Sequence, residues 1–215
     1  MLNSPLSSWF YAQPHGSGFT LTLPTRLARF LHAAQHHFGL RDPSFTLLGV
    51  EFGPHPFPRL WHPGVPERSV IVQLSHLTRG AVDLDYQLAH EAVHLLRPPF
   101  ELRASVLEEG VATWFATQVV REDHACAPQP DTLEYARALE LVAPLLDRDA
   151  AGIARLRARN ASLSAVTAED ILAVWPEVGE SLAHLLARPF ECAARPGGMV
   201  DGSLTDGRAS ANSDE

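Results

Sequence analysis

The chain contains no lysine: all 17 of its basic side chains are arginine, a choice that by itself distinguishes no function. Positive charge is scarce altogether, and against 25 acidic residues the formal net charge is −8. Nucleic-acid binders draw affinity from Lys and Arg clustered against phosphates, so this balance argues against a general polyanion binder. Cysteine is nearly missing too. Cys126 and Cys192 could make one bridge at most, which excludes a disulfide scaffold and leaves free thiols as the simpler expectation. No run approaches the roughly 18 apolar residues that a bilayer span needs. From Met1 to Phe10 there is no basic segment followed by an apolar one, so no secretory leader is expected. By default these absences point to a soluble cytoplasmic protein with neither a nucleic-acid nor a membrane partner.

What is present is a globular composition, 46% hydrophobic and 20% charged, in 215 residues, enough for one substantial core. A single domain is expected over residues 1–193, with an α/β part through 97 and a helical part over 98–193. Over residues 194–215 Gly, Ser, Asp and Asn replace the bulky apolar residues, the composition of a disordered tail.

The most informative stretch is Leu88-Ala89-His90-Glu91-Ala92-Val93-His94-Leu95-Leu96. On a helix, residues four apart lie about 40° apart around the axis, so His90 and His94 point the same way. Two neutral imidazoles at that spacing can hold one divalent metal. Glu91 beside them can take a proton from a water that the metal activates, which is the mechanical meaning of H-E-x-x-H. At this chain's His and Glu content, chance gives about 0.04 such matches. The competing reading is an amphipathic helix that merely carries two polar residues.

Downstream stands Ser105-Val106-Leu107-Glu108-Glu109-Gly110-Val111-Ala112-Thr113-Trp114-Phe115. From Leu88 to Phe115 the sequence resembles the gluzincin branch of the zinc metallopeptidases, where a Glu-Gly-x-Ala stretch on a second helix supplies the third ligand. The resemblance implies His90, His94 and Glu109 as ligands of Zn(2+), Glu91 as the catalytic carboxylate, and a zincin-like fold. The residues themselves favour Glu109 over Glu108, because Ser105 and Glu108 read as a capping box that would occupy the Glu108 side chain. Many gluzincins also carry an acid four positions after the ligand Glu, where it orients a ligand His. Here that position is Thr113, and a lost partner of this kind commonly weakens metal binding by about 10–100-fold. Gluzincins further use a downstream Tyr or His to stabilise the oxyanion, which makes Tyr135 and His184 the alternatives in this chain.

The remaining elements follow from period and punctuation. Gly18 to Leu23 alternates as a short strand, and Pro24 opens a helix to Phe38 that Gly39 closes. His32, His36 and His37 on that helix lack a carboxylate in ligand register and read as surface or partly buried residues. Phe45 to Phe52 and Arg68 to Leu74 read as strands, separated by a long Pro-rich loop over Gly53 to Glu67. In zincins the strand before the metal helix borders the cleft and pairs with an extended substrate; an ordinary core strand is the alternative for Arg68 to Leu74. Asp83 can cap the metal helix, which runs to about Leu96 and turns at Pro98-Pro99. A second helix from Val106 to Arg121 can then fold back across it. Beyond Pro128 the chain reads as helical: Thr132 to Leu146 with an interruption near Pro144, then Ala150 to Ala158, Ala168 to Val174, and Glu177 to Leu186.

The expected fold is therefore α+β, a small N-terminal sheet with an active-site helix followed by a mostly helical part. The expected function is a zinc-dependent metallopeptidase acting on a peptide or protein. Two alternatives stay open: a non-catalytic peptidase-like metal-binding module, and a regulatory protease acting on one specific protein.

Overall fold

The computed structural model describes residues 14–15, 18–19, 22–64, 68–99, 103–126, 128, 130 and 132–192. The tail expected over 194–215, the segment Met1 to Phe10 and residues 20 and 21 of the first expected strand lie outside these. Of that strand, Gly18–Phe19 (β2) pairs with Pro14–His15 (β1), and Leu23 already belongs to the next helix.

Helix α1, Leu23–Phe38, is capped by the Thr22 side chain, which accepts from the Thr25 amide, and ends at Gly39 with φ of +93°. Leu27, Phe30, Ala34 and Phe38 recur every three or four residues and form its buried face, while His32, His36 and His37 stay exposed.

The main sheet holds three strands in the order β3-β5-β4. Strand β5, Ser69–Leu74, runs parallel to β3, Thr46–Phe52, and antiparallel to β4, Arg59–Trp61. The stretch from Gly53 to Glu67 is thus not a plain loop. Its embedded strand is three residues long and follows Pro58, too short for an alternating pattern to emerge from the prolines around it. Since β5 has a neighbour on each side, it is a core strand; among the described residues β3 and β4 are the edge strands. Gln73 on β5 ties all three together, accepting from Arg59 Nε at 2.8 Å and donating to Glu51 Oε1 at 2.7 Å.

Helix α2, Ala81–His94, starts two residues before the expected cap at Asp83. Asp83 lies instead in the first turn, where its carboxylate accepts from the Arg79 amide at 3.1 Å. Farther along, buried Asp85 anchors the helix to both neighbours, accepting from Arg26 of α1 at 2.5 and 2.6 Å and from His124 of α3 at 2.8 Å. The end of α2 is held by two arginines. Arg41 Nε reaches the Leu95 carbonyl at 3.2 Å, and Arg157 Nη2 reaches that of Leu96 at 3.3 Å. Arg157 also donates to the carbonyls of Phe38, Gly39 and Leu40 at 2.7–2.9 Å, so one guanidinium gathers the loose carbonyls at the ends of α1 and α2.

Helix α3, Val106–His124, is capped by Ser105 as its sequence implies, and extends past Arg121. It packs between α2 and α4, Leu133–Arg148. Pro144 does not interrupt α4; it sits on the exposed side, where its missing N–H and its ring face solvent. The approach of α3 and α4 depends on Gly110. A Cβ there would stand 2.5 Å from Val142 Cγ2 and 2.7 Å from the Ala138 carbonyl oxygen. Because a backbone atom is among those met, Gly110→Ala should destabilise the protein by about 1–3 kcal/mol in chemical denaturation. A loss below about 0.5 kcal/mol would mean that the helices separate freely.

Three shorter helices finish the described chain: α5, Gly152–Arg159; α6, Ala168–Val174; and α7, Glu180–Ala187. Thr167 and Asp170 form a full capping box on α6. The last helix was expected from Glu177, but Pro176–Val178 makes a 3-10 turn and Gly179, at φ of +77°, breaks the path before α7. The described residues thus form a mostly helical α+β fold with a small mixed sheet. No helix among them is long and apolar enough to cross a membrane.

Candidate metal centre

Crossing α2 against α3 brings the expected ligands together. His90 Nε2 stands 3.1 Å from Glu109 Oε2 and 3.2 Å from His94 Nε2, and the third side, His94 Nε2 to Glu109 Oε2, is 3.6 Å. All three residues are buried, and together they could hold a metal ion. Zinc bonds to N and O donors are about 2.0–2.1 Å long, so neighbouring ligand atoms of a tetrahedron lie about 3.3–3.4 Å apart. The triangle formed by these three atoms has edges of that size. Two imidazoles and one carboxylate also match the donor set of sites that leave a fourth corner open.

The surrounding charges are strongly coupled. Burial would raise the Glu109 carboxyl, but the imidazoles of His94 and His90 outweigh it and hold Glu109 well below the usual carboxylate range. For His94 burial acts downward, and Glu109 and Glu108 overcome it, raising the imidazole well above its ordinary value. Glu91 is shifted upward chiefly by its own burial, against the pull of His94 and His90. It is 3% exposed, and its carboxylate makes no hydrogen bond to another side chain or to the backbone among the described residues.

Glu108 does not fold back on the helix start as a capping box would require. Ser105 Oγ accepts from the Glu108 amide at 3.1 Å, but the Glu108 carboxylate faces the metal centre. Its Oε1 accepts from His94 Nδ1 at 2.8 Å, so in the neutral imidazole the lone pair lies on Nε2, the nitrogen that a cation would meet. Its Oε2 accepts from Ser164 Oγ, a residue of the 3-10 turn Leu163–Ala165. Position 113 carries no acid, and the carboxylate that accepts from His94 belongs to Glu108, immediately ahead of Glu109. His90 Nδ1 and Thr113 Oγ1 are buried and have no hydrogen-bond partner among the described residues.

Two tyrosines flank His90. Tyr86, one turn earlier on α2, lies nearly parallel to its ring at 6.3 Å between centroids; Tyr135 of α4 meets it edge-on at 5.7 Å. Beyond α7 the chain returns to the start of α3, where Phe190 N donates to the Ala104 carbonyl and the Phe190 ring packs 4.9 Å from Tyr135. Burial first, then the Glu109 and Glu91 carboxylates, push the Tyr135 phenol far above its ordinary pKa, so it keeps its proton as a donor. His184, the other sequence candidate, is exposed on α7. Tyr86 also lines a cavity of about 300 Å³, together with Pro58, Leu77, Arg79, Asp83 and Gln87 among others.

No family model, curated protein or solved structure matches this chain. The gluzincin resemblance accordingly rests on the quoted residues alone. Of the residues around the centre, Tyr86 was readable in principle, since it precedes His90 by four on one helix face. Ser164 and Phe190 carried no local signal, because only the tertiary fold brings them near.

Proposed function

We propose that the chain is a zinc-dependent metallopeptidase of the zincin-like, gluzincin type, hydrolysing peptide bonds in a peptide or protein substrate. The observation that carries this is the convergence of His90, His94 and Glu109 beside a buried Glu91 whose carboxylate makes no hydrogen bond among the described residues. Zinc suits the nitrogen and oxygen donors and their spacing; when bound, it supplies a Lewis acid and lowers the pKa of water towards about 7. Glu91 takes the proton from the attacking water and delivers it to the leaving amine. Tyr135, kept protonated, donates to the carbonyl oxygen as it becomes negative. Strand β4, an edge strand among the described residues that packs against α2, offers an extended substrate main-chain hydrogen bonds that tolerate varied side chains. A purely structural zinc site has no use for a base such as Glu91 and closes its fourth position with a protein ligand. Cys126 and Cys192, both exposed and not joined in a disulfide, suit a reducing compartment such as the cytoplasm.

The test is metal analysis of the purified full chain joined to a peptide-library assay. Stoichiometric zinc is expected, with cleavage that a chelator stops and added zinc restores. Failure of the wild-type protein to bind zinc when it is offered would overturn the reading.

A further inference from the structure

We infer that Ser164 is a positioning residue for the metal: through Glu108 it sets the direction and tautomer of the His94 ring. The inference rests on the zinc reading above but concerns a part of the chain outside both motif helices. Glu108 is 3% exposed, and both of its carboxylate oxygens are engaged, one by His94 Nδ1 at 2.8 Å and the other by Ser164. A buried carboxylate with two fixed donors has one orientation, and the imidazole that donates to it inherits that orientation.

The turn carrying Ser164 is itself clasped to the ligand helix. Ser105 Oγ donates to the Leu163 carbonyl at 2.9 Å while accepting from the Glu108 amide at 3.1 Å. Leu163 is buried in the core, and Asn160 Nδ2 closes the turn onto the Ala165 carbonyl at 2.9 Å. Two serine hydroxyls thus lock the turn to the same residue, one through its backbone and one through its carboxylate. With Ser164 removed, Glu108 Oε2 is left buried without its donor, the carboxylate can rotate, and His94 Nε2 loses its fixed aim.

Outer partners of metal-binding histidines commonly change affinity by about 10–100-fold. Zinc dissociation constants of the full chain, measured by competition with a chromophoric chelator, should therefore rise about tenfold for Ser164→Ala. Ser164→Cys, nearly the same size with a weak S–H donor, should fall between Ala and wild type. Replacing zinc with cobalt gives visible absorption that reports ligand geometry, and this should change in the Ala variant; a serine that only supported the fold would leave the bands in place. Should Ser164→Ala fail to fold, the Cys variant carries the test alone. If wild type binds zinc and the folded variants bind it within about twofold with unchanged cobalt spectra, the role of Ser164 is overturned while the zinc reading stands. If wild type binds no zinc, both fall.

Discussion

Glu91→Gln is expected to keep its zinc and lose peptide hydrolysis by about 10³-fold, within the 10²–10⁴-fold range of a lost general base. The substitution is nearly isosteric, and Glu91 makes no hydrogen bond among the described residues that an amide would disturb. It removes only the ability to accept a proton. Neither ligand imidazole depends on Glu91, since His94 is oriented by Glu108 and His90 faces Glu109. Turnover of a cleaved library peptide, metal content and circular dichroism should be measured together. A variant that is folded, zinc-loaded and as fast as wild type would remove Glu91 from the reaction.

Glu109→Ala should abolish stoichiometric zinc. Structural zinc sites in small peptides bind with about 10–16 kcal/mol spread over four ligands, so one ligand is worth about 2.5–4 kcal/mol, or about 10²–10³-fold in affinity. Here the lost group is also the only anion within hydrogen-bonding distance of His90 Nε2 among the described residues. Chelator competition checks the result, and Glu109→Gln separates charge from shape because its amide oxygen can still occupy the corner. Zinc retained at wild-type affinity in the Ala variant would mean that another acid completes the site, and the assignment of Glu109 would fail.

The residues whose roles were legible in the sequence are those governed by local rules. His90 and His94 meet because helical spacing makes them neighbours; Ser105 caps α3 because its hydroxyl reaches an amide three residues on; Gly39 ends α1 with its positive φ. The α+β class and the helical second half follow from the same periodicities. Glu108 illustrates where such rules stop. Its capping role was a sound inference from S-x-x-E, yet a buried imidazole and a hydroxyl 56 residues downstream compete for the same carboxylate and win. Strand β4 escaped for a different reason, being held in place by pairing with β5 and by Arg59 on Gln73 rather than by a pattern of its own. Gly110 lay in plain view within the Glu-Gly-x-Ala stretch, but the packing of α4 against it became visible only with the fold.

The grip of Arg157 on four carbonyls has a further consequence for how the chain could change. An ammonium is a single point with three protons at the tip of a flexible stem, whereas the guanidinium spreads its donors across a rigid plane. Only the latter can serve acceptors arriving from two separate helix ends at once, as Nη1 and Nη2 do here. Exchanging one cation for the other is harmless over most of a protein's exterior; at this crossing point it would leave several oxygens stranded and let the floor beneath the histidines sag.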